Sequence, residues 1–273
     1  MRPEAARATR KASRQINGWL SPGALGAFAL IDEVQKTHDI AGNLFEIGAH
    51  HGKSAVVLGR MARPTETIYV CDIFGAQALN ASRSGSGDRQ VFDANMRRVA
   101  PAARVQVYEC LSADLSEQDL PSCRFFHIDG GHLAVEAGAD LAIAARCVSP
   151  GGVIVVDDPY RTTWPGVTEA ILGFLRESPA WVTVLAGFNK QVLARRDVAE
   201  QYAAVLTSPG VWDYVDRRVY ARKITPICGH PAAVFFVPSS RQHLAIRDAL
   251  ARVYWLRDGV AWRVSRGRVS DTC

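Results

Sequence analysis

The stretch Phe45-Glu46-Ile47-Gly48-Ala49-His50-His51-Gly52-Lys53-Ser54 decides the fold. Asn43 to Ile47 is a short apolar run that reads as a strand, and Ser54 to Met61 reads as a helix. The turn between them holds Gly48 and Gly52, residues that let a backbone approach a ligand closely. Neither a P-loop spacing nor G-x-G-x-x-G is present, so the turn is not built to cradle a pyrophosphate. Glu46 would repel a phosphate. It suits a cationic or amine-bearing ligand instead.

The same alternation continues outward. Thr67 to Cys71 reads as a strand closed by Asp72, whose carboxylate can accept both hydroxyls of a ribose. Further strands are expected at Arg104 to Tyr108, Arg124 to Ile128 (closed by Asp129), Val153 to Val156 (closed by Asp157) and Trp181 to Leu185. Helices are expected at Gly18 to Gln35, entered through Ser21-Pro22, and at Asp88 to Val99, Leu133 to Cys147 and Val167 to Arg176. Continuous apolar strands alternating with helices predict an α/β, doubly wound, mostly parallel sheet, here of seven strands. Right-handed crossovers place every strand's carboxyl end along one edge, where ligands bind. Glu46 to Gly48, Asp72, Ser112, Asp129 and Asp157 all fall there.

Residues 1–15 are polar and Ala/Arg-rich and predict a flexible N-terminal arm, frayed or loosely helical. Residues 16–206 form the main domain, and 207–273 a C-terminal extension that completes or flanks it. After Leu185 the pattern weakens: Asp197 to Leu206 and His243 to Trp255 read as helices, and Arg218 to Ile224 and Ala232 to Val237 as strands. Ser82 to Gly87 reads as a mobile loop at the binding edge.

The chain has 273 residues, 48% of them hydrophobic, enough for a well-packed core. From Leu185 onward there are 14 Lys and Arg against 7 Asp and Glu, yet no dense basic run marks a nucleic-acid patch. The six cysteines form no C-x-x-C pair, which fits a reducing cytoplasm. No apolar stretch is long enough to span a membrane.

Two segments carry the chemistry: Phe126-His127-Ile128-Asp129-Gly130-Gly131-His132 and Gly151 to Pro159, which contains Asp157-Asp158. They end neighbouring strands, so Asp129, Asp157 and Asp158 can converge. Three carboxylates repel unless a cation sits among them, and an oxygen-only set favours Mg²⁺, Mn²⁺ or Ca²⁺. His132 follows two glycines that bend the chain back, which places an imidazole for general-base work. His127 reads as pointing the other way, into packing. His50 and His51 read as turn residues.

The turn and the acid after the second strand resemble motifs I and II of class I S-adenosylmethionine methyltransferases, over Ile16 to about Leu206. The resemblance implies S-adenosyl-L-methionine as cofactor, held by Glu46, Gly48, Gly52, Ser54, Asp72, Ser112 and Asp129. Glu46 and Gly48 would line its methionine and ribose side, Asp72 would take the ribose hydroxyls, and Cys110-Leu111-Ser112-Ala113 would meet the adenine. The D-G-x-H and G-G-V-I-x-x-D-D segments, Pro165-Gly166-Val167, Ser84 to Arg89 and Gly187-Phe188-Asn189-Lys190 look like metal-dependent O-methyltransferases of the macrocin and mycinamicin type. That likeness implies Mg (or Mn) on Asp129, Asp157 and Asp158, with His132 as catalytic base. In that group the second ligand can be Glu, where this chain has Asp157.

The expectation is an O-methyltransferase acting on a hydroxylated small molecule, a sugar or other diol. An RNA or protein methyltransferase that uses the basic tail, and a non-catalytic S-adenosylmethionine-binding module, are the rivals. A nicotinamide oxidoreductase is disfavoured by the missing fingerprint. Self-association is left open.

Overall fold

Among the described residues nine strands form one sheet, in the order Arg104–Tyr108, Thr67–Cys71, Asn43–Ile47, Cys123–Ile128, Val148–Asp157, Lys190–Arg195, Trp181–Gly187, His230–Phe236 and Ala221–Ile227. The computed structural model describes residues 1–81, 85–115 and 119–238. The parallel part comprises β1 (Asn43–Ile47), β2 (Thr67–Cys71), β3 (Arg104–Tyr108), β4 (Cys123–Ile128) and β5 (Val148–Asp157). β7 (Lys190–Arg195) runs antiparallel between β5 and β6 (Trp181–Gly187). All six residues of β4 are buried, as a central strand covered on both faces requires.

The expected count of seven strands is corrected to nine. β8 (Ala221–Ile227) and β9 (His230–Phe236) form an antiparallel hairpin, and β9 joins β6 in parallel through Leu185 and Ala186. β8 is half-exposed along its length, so its hydrophobic pattern is weak in the sequence.

Helices cover both faces. One carries α1 (Pro3–Ser13), α2 (Pro22–Thr37), α3 (Ala55–Met61), α4 (Arg89–Val99) and α7 (Ala199–Thr207), around a core that includes Phe28, Leu58, Phe92 and Tyr202. The other carries α5 (Ala134–Cys147) and α6 (Pro165–Glu177), packed on Phe45, Phe126 and Ile154. α2 starts where the sequence signals it: Ser21 Oγ accepts from the amide of Ala24, and Pro22 takes the first turn.

Residues 1–15, expected as a frayed arm or a loose helix, carry α1. Its Ala6, Thr9 and Ser13 are buried, and Arg60 Nε donates to Thr9 Oγ1 at 2.9 Å. Met1–Phe236 forms one compact unit. The helix expected over His243 to Trp255, and Ser82 to Ser84 of the expected loop, lie outside the described residues. Among the described residues no helix is long and apolar enough to cross a membrane.

A buried ionic knot ties α2 to the foot of β4. Arg124 is fully buried and donates to Glu66 at 2.8 and 2.9 Å, to Gln35 Oε1 at 2.6 Å and to the Met61 carbonyl at 3.1 Å. It also pairs with Asp32 at 2.9 Å. Burial works to raise the Asp32 carboxyl, but the Arg124 charge together with the N-terminal ammonium and Lys36 outweighs it and holds the pKa below its ordinary value. Arg124→Ala would strand two buried carboxylates, at a cost of about 3–5 kcal/mol. Urea denaturation checks this; a loss under about 1 kcal/mol would mean that water reaches the knot.

Candidate active site

The site grows from the parity of the strands. Residues two apart on a strand project to the same side. β1 and β4 are in register with Glu46 opposite His127, β4 and β5 with His127 opposite Val155, and β5 and β7 with Asp157 opposite Lys190. Glu46, His127, Asp129, Asp157 and Lys190 therefore share the α2 side at the carboxyl edge. His127 does not point away from Asp129, as the sequence reading had it. It lies two residues earlier on the same side.

His127, Asp129 and Asp157 form a group whose ligand atoms lie within 4.8 Å of one another. His127 Nδ1 sits 2.7 Å from Glu46 Oε1, while its Nε2 is buried without a partner. This is the arrangement of a metal-binding histidine, in which a carboxylate holds one ring nitrogen and leaves the other for the ion. Two carboxylates and an imidazole suit Mn²⁺ and other first-row ions as well as Mg²⁺. The residues present thus fit a divalent cation.

Asp158 is not in that group. It stands at φ +57°, turned off the end of β5. His132 Nε2 lies 3.0 Å from its Oδ2, and Arg161 and Asn189 donate to its Oδ1. Burial works to raise the Asp158 carboxyl, but the hydrogen bonds from His132, Asn189 and Arg161 outweigh it and hold the pKa well below the usual carboxylate range. Asp158 therefore orients His132. His132 Nδ1 is buried and unpartnered, and its ring lies 4.5 Å from Trp164.

Sequence reading also missed Lys190. Its buried ammonium pairs with Asp157, and Asn189 donates to Asp157 Oδ1 at 2.9 Å. Lys190 is placed by the two-residue Phe188–Asn189 hairpin, with both residues at positive φ as a tight hairpin turn demands. Four further non-glycine residues at positive φ lie along the same edge: His50, Phe74, Asp158 and Tyr160. Backbone strain concentrates where the candidate chemistry is.

Burial of its carboxyl, followed by the charge and hydrogen bond of Asp157, raises the Asp129 pKa well above its ordinary value; Lys190 works against this. The carboxyl then keeps its proton in the folded chain and loses it in the unfolded one. Stability falls as pH rises above the ordinary carboxylate range, near 3.9. Asp129→Asn removes that cost. In metal-free protein it should raise the Tm at pH 8 by about 3–6 °C, with little gain at pH 4. Differential scanning calorimetry at both pH values checks it, and a lower Tm at pH 8 would show that the carboxyl is stabilising as an anion.

The nucleotide side is tight. Gly48 has φ +82°, and a Cβ there would sit 1.9 Å from the Asp129 carbonyl oxygen, so only glycine fits. Gly52, at φ +84°, would press its Cβ to 3.0 Å from Phe92. Asp72 Oδ2 accepts from the amides of Ala49 and His50, each at 2.7 Å, and Oδ1 from Phe74 at 2.6 Å. In this state the expected ribose acid holds the two turns together. Ser54 is buried at the start of α3, where its carbonyl accepts from Val57 and Leu58. Ser112 opens a short 3-10 turn after β3.

Glu46 Oε2 is a buried acceptor without a partner, which fits a ligand that brings amine or ammonium donors. The cleft lined by Asp129, Gly131, His132 and Asp157 is almost closed, with a volume of about 10 Å³, far below the roughly 300–1,000 Å³ of ligand pockets. A cavity of about 600 Å³ lies elsewhere, between α6 and the start of β6.

Residues 45–159 match a family model described as a methyltransferase domain. Among solved structures, the chain is similar to the O-methyltransferase NovP at 17% identity and a TM-score of 0.53, covering 63% of this chain and 80% of that one. It is also similar to cofactor-bound Rv0187 from MTB at 19% identity and a TM-score of 0.50, covering 70% and 89%. Both likenesses concern the fold. No curated protein matches the sequence.

Proposed function

We propose that this chain is a class I S-adenosylmethionine-dependent methyltransferase that methylates a hydroxyl of a small molecule, such as a sugar or other diol, with a divalent cation, Mg or Mn, at the site; the methyltransferase-domain model over residues 45–159 and the fold of NovP support it. The observation that carries the reading is the pairing of two devices at one sheet edge. One is a His127–Asp129–Asp157 ligand group backed by Glu46, and the other an Asp158–His132 dyad facing the same cleft. A pure binding module has no need of either. NovP, alike in fold, is an O-methyltransferase, which supports the same reaction class here.

The donor, when bound, supplies an electrophilic sulfonium methyl, and a cation on the three ligands supplies positive charge that acidifies a nearby hydroxyl. The chain's own residues do the rest. Asp158 holds the His132 ring through Nε2, leaving Nδ1 to accept the acceptor hydroxyl's proton. Trp164 packs against the imidazole and helps keep water out. The low pKa of Asp158 keeps it anionic, so it stabilises the imidazolium that forms. Glu46 plays the matching part for His127, and Gly48 admits the donor close to the end of β4. The small cleft volume means that the loops at this edge open to take the ligands. The unpaired thiols among the described residues support a reducing compartment, consistent with the cytoplasm.

His132→Ala should cut turnover by about 10²–10⁴-fold while leaving the affinity for S-adenosylhomocysteine within about twofold. Calorimetric titration together with a methyl-transfer assay on hydroxylated acceptors checks it. A fully active variant would remove the base assignment.

Chelator should abolish turnover, and Mg²⁺ or Mn²⁺ should restore it. His127→Ala should raise the metal concentration needed by about 10–100-fold. Equal rates with and without chelator would leave a metal-free methyltransferase.

A further inference from the structure

The cavity of about 600 Å³ beside α6 takes no part in the chemistry described above. Its apolar walls come from Leu172 and Leu175 of α6, Trp181 and Val182 of β6, and Ile227 at the end of β8. Strand register sets it apart from the acid row. Trp181 pairs with Arg195 at one end of β7, whereas Lys190 at the other end pairs with Asp157. Those two levels are five residues apart, about 17 Å at the rise of a strand. The volume is that of a site for a small organic ligand.

Charge indicates which kind. Arg176 and Arg196 line the cavity, and among the described residues no Asp or Glu does. Arg176 Nε donates to the Leu172 carbonyl at 3.2 Å, and Arg196 Nε to the Pro179 carbonyl at 3.3 Å. Each guanidinium is thus steadied by a backbone oxygen next to the cavity. Neither makes an ion pair among the described residues, so their Nη groups remain as donors for an anion. Arg195 adds to the positive field, with its guanidinium 6.0 Å from the centre of the Trp181 ring. A planar guanidinium with unspent donors matches a carboxylate in shape as well as in charge. An inorganic anion would leave the apolar walls wet, and a neutral apolar molecule would leave the arginines unanswered. A ligand with both parts answers both features of the cavity.

We propose that this cavity is a second ligand site, which takes a small carboxylate with an apolar body. The carboxylate meets Arg176 and Arg196, and the body lies against Leu172, Trp181 and Ile227. The site shares no residue with the acid row or the His132 dyad, so it does not depend on the methyl-transfer reading.

The probe is 2-naphthoate, with 2-naphthamide as its uncharged counterpart, each titrated calorimetrically into the full chain. Wild type should bind naphthoate with a Kd below about 1 mM, within reach of a ligand of this size. The amide should bind at least about fivefold more weakly, by loss of the charge. Arg176→Ala and Arg196→Ala, both at exposed positions, should each weaken naphthoate by about three- to tenfold and leave the amide unchanged. Leu172→Trp, which fills the recess, should remove both ligands; the arginine variants carry the comparison where it does not fold. A wild type that does not bind naphthoate, that binds acid and amide equally, or whose affinity survives both arginine substitutions would overturn the proposal. Sedimentation of the same proteins tests the other occupant. A wild-type dimer that the arginine variants split into single chains would give this face to a second copy and overturn the small-ligand site.

Discussion

Two carboxyls at the ends of adjacent parallel strands, Asp129 and Asp157, are forced together by the pairing of β4 with β5, and the remainder of the active edge is arranged around their repulsion. The chain answers that repulsion in two ways. It makes Asp129 harder to ionise, and it brings the Lys190 ammonium to Asp157 from β7. Neither answer satisfies the neighbouring imidazole, whose Nε2 stays without a partner. A divalent ion would meet all three groups at once, at the cost of displacing a proton and loosening a lysine. The free protein therefore holds the ligand group together with charges it can release. That differs from a preformed cage, in which carboxylates stand ionised and waiting.

Much of this was legible from residues alone. The acid at each strand end is visible because a buried parallel strand is a run of apolar residues, and the first charge after it marks the edge. Asp72, Asp129 and Asp157 were found in that way, as was the glycine turn at Gly48. The joint appearance of Asp129 and His132 across two glycines also reads directly. What did not read was direction. His127 was set aside as a packing residue, yet the period of two puts it on the side of Asp129, and the signal was present in the spacing itself. Asp158, which the resemblance places with the metal ligands, stands just past the end of β5 at positive φ, with its carboxylate on His132, Arg161 and Asn189.

Lys190 and the last two strands were hidden for a different reason. Lys190 acts through pairing with β5 across an antiparallel hairpin, and nothing local to Gly187-Phe188-Asn189-Lys190 reveals which strand that hairpin adjoins. β8 and β9 depend on the same long-range pairing. Their side chains alternate between partial cover and solvent, so their pattern is faint where that of β4 is plain. The helix over Pro3–Ser13 is a further case: its polar composition suggests an arm, but small residues at Ala6, Thr9 and Ser13 let it lie close on its neighbours.

Strain completes the account of how the edge can be both tight and functional. Asp72 spends all three of its hydrogen bonds on the amides of Ala49, His50 and Phe74, and both His50 and Phe74 stand at positive φ. These bonds stitch the first two crossover turns together in the absence of ligand. A ribose diol held by Asp72, as proposed, would compete for the same carboxylate oxygens and release the two turns from each other as it took their place. The residues that close the cleft are then the residues the ligand must engage. Entry of the donor and opening of the edge become one equilibrium, biased by a single acid at the end of β2.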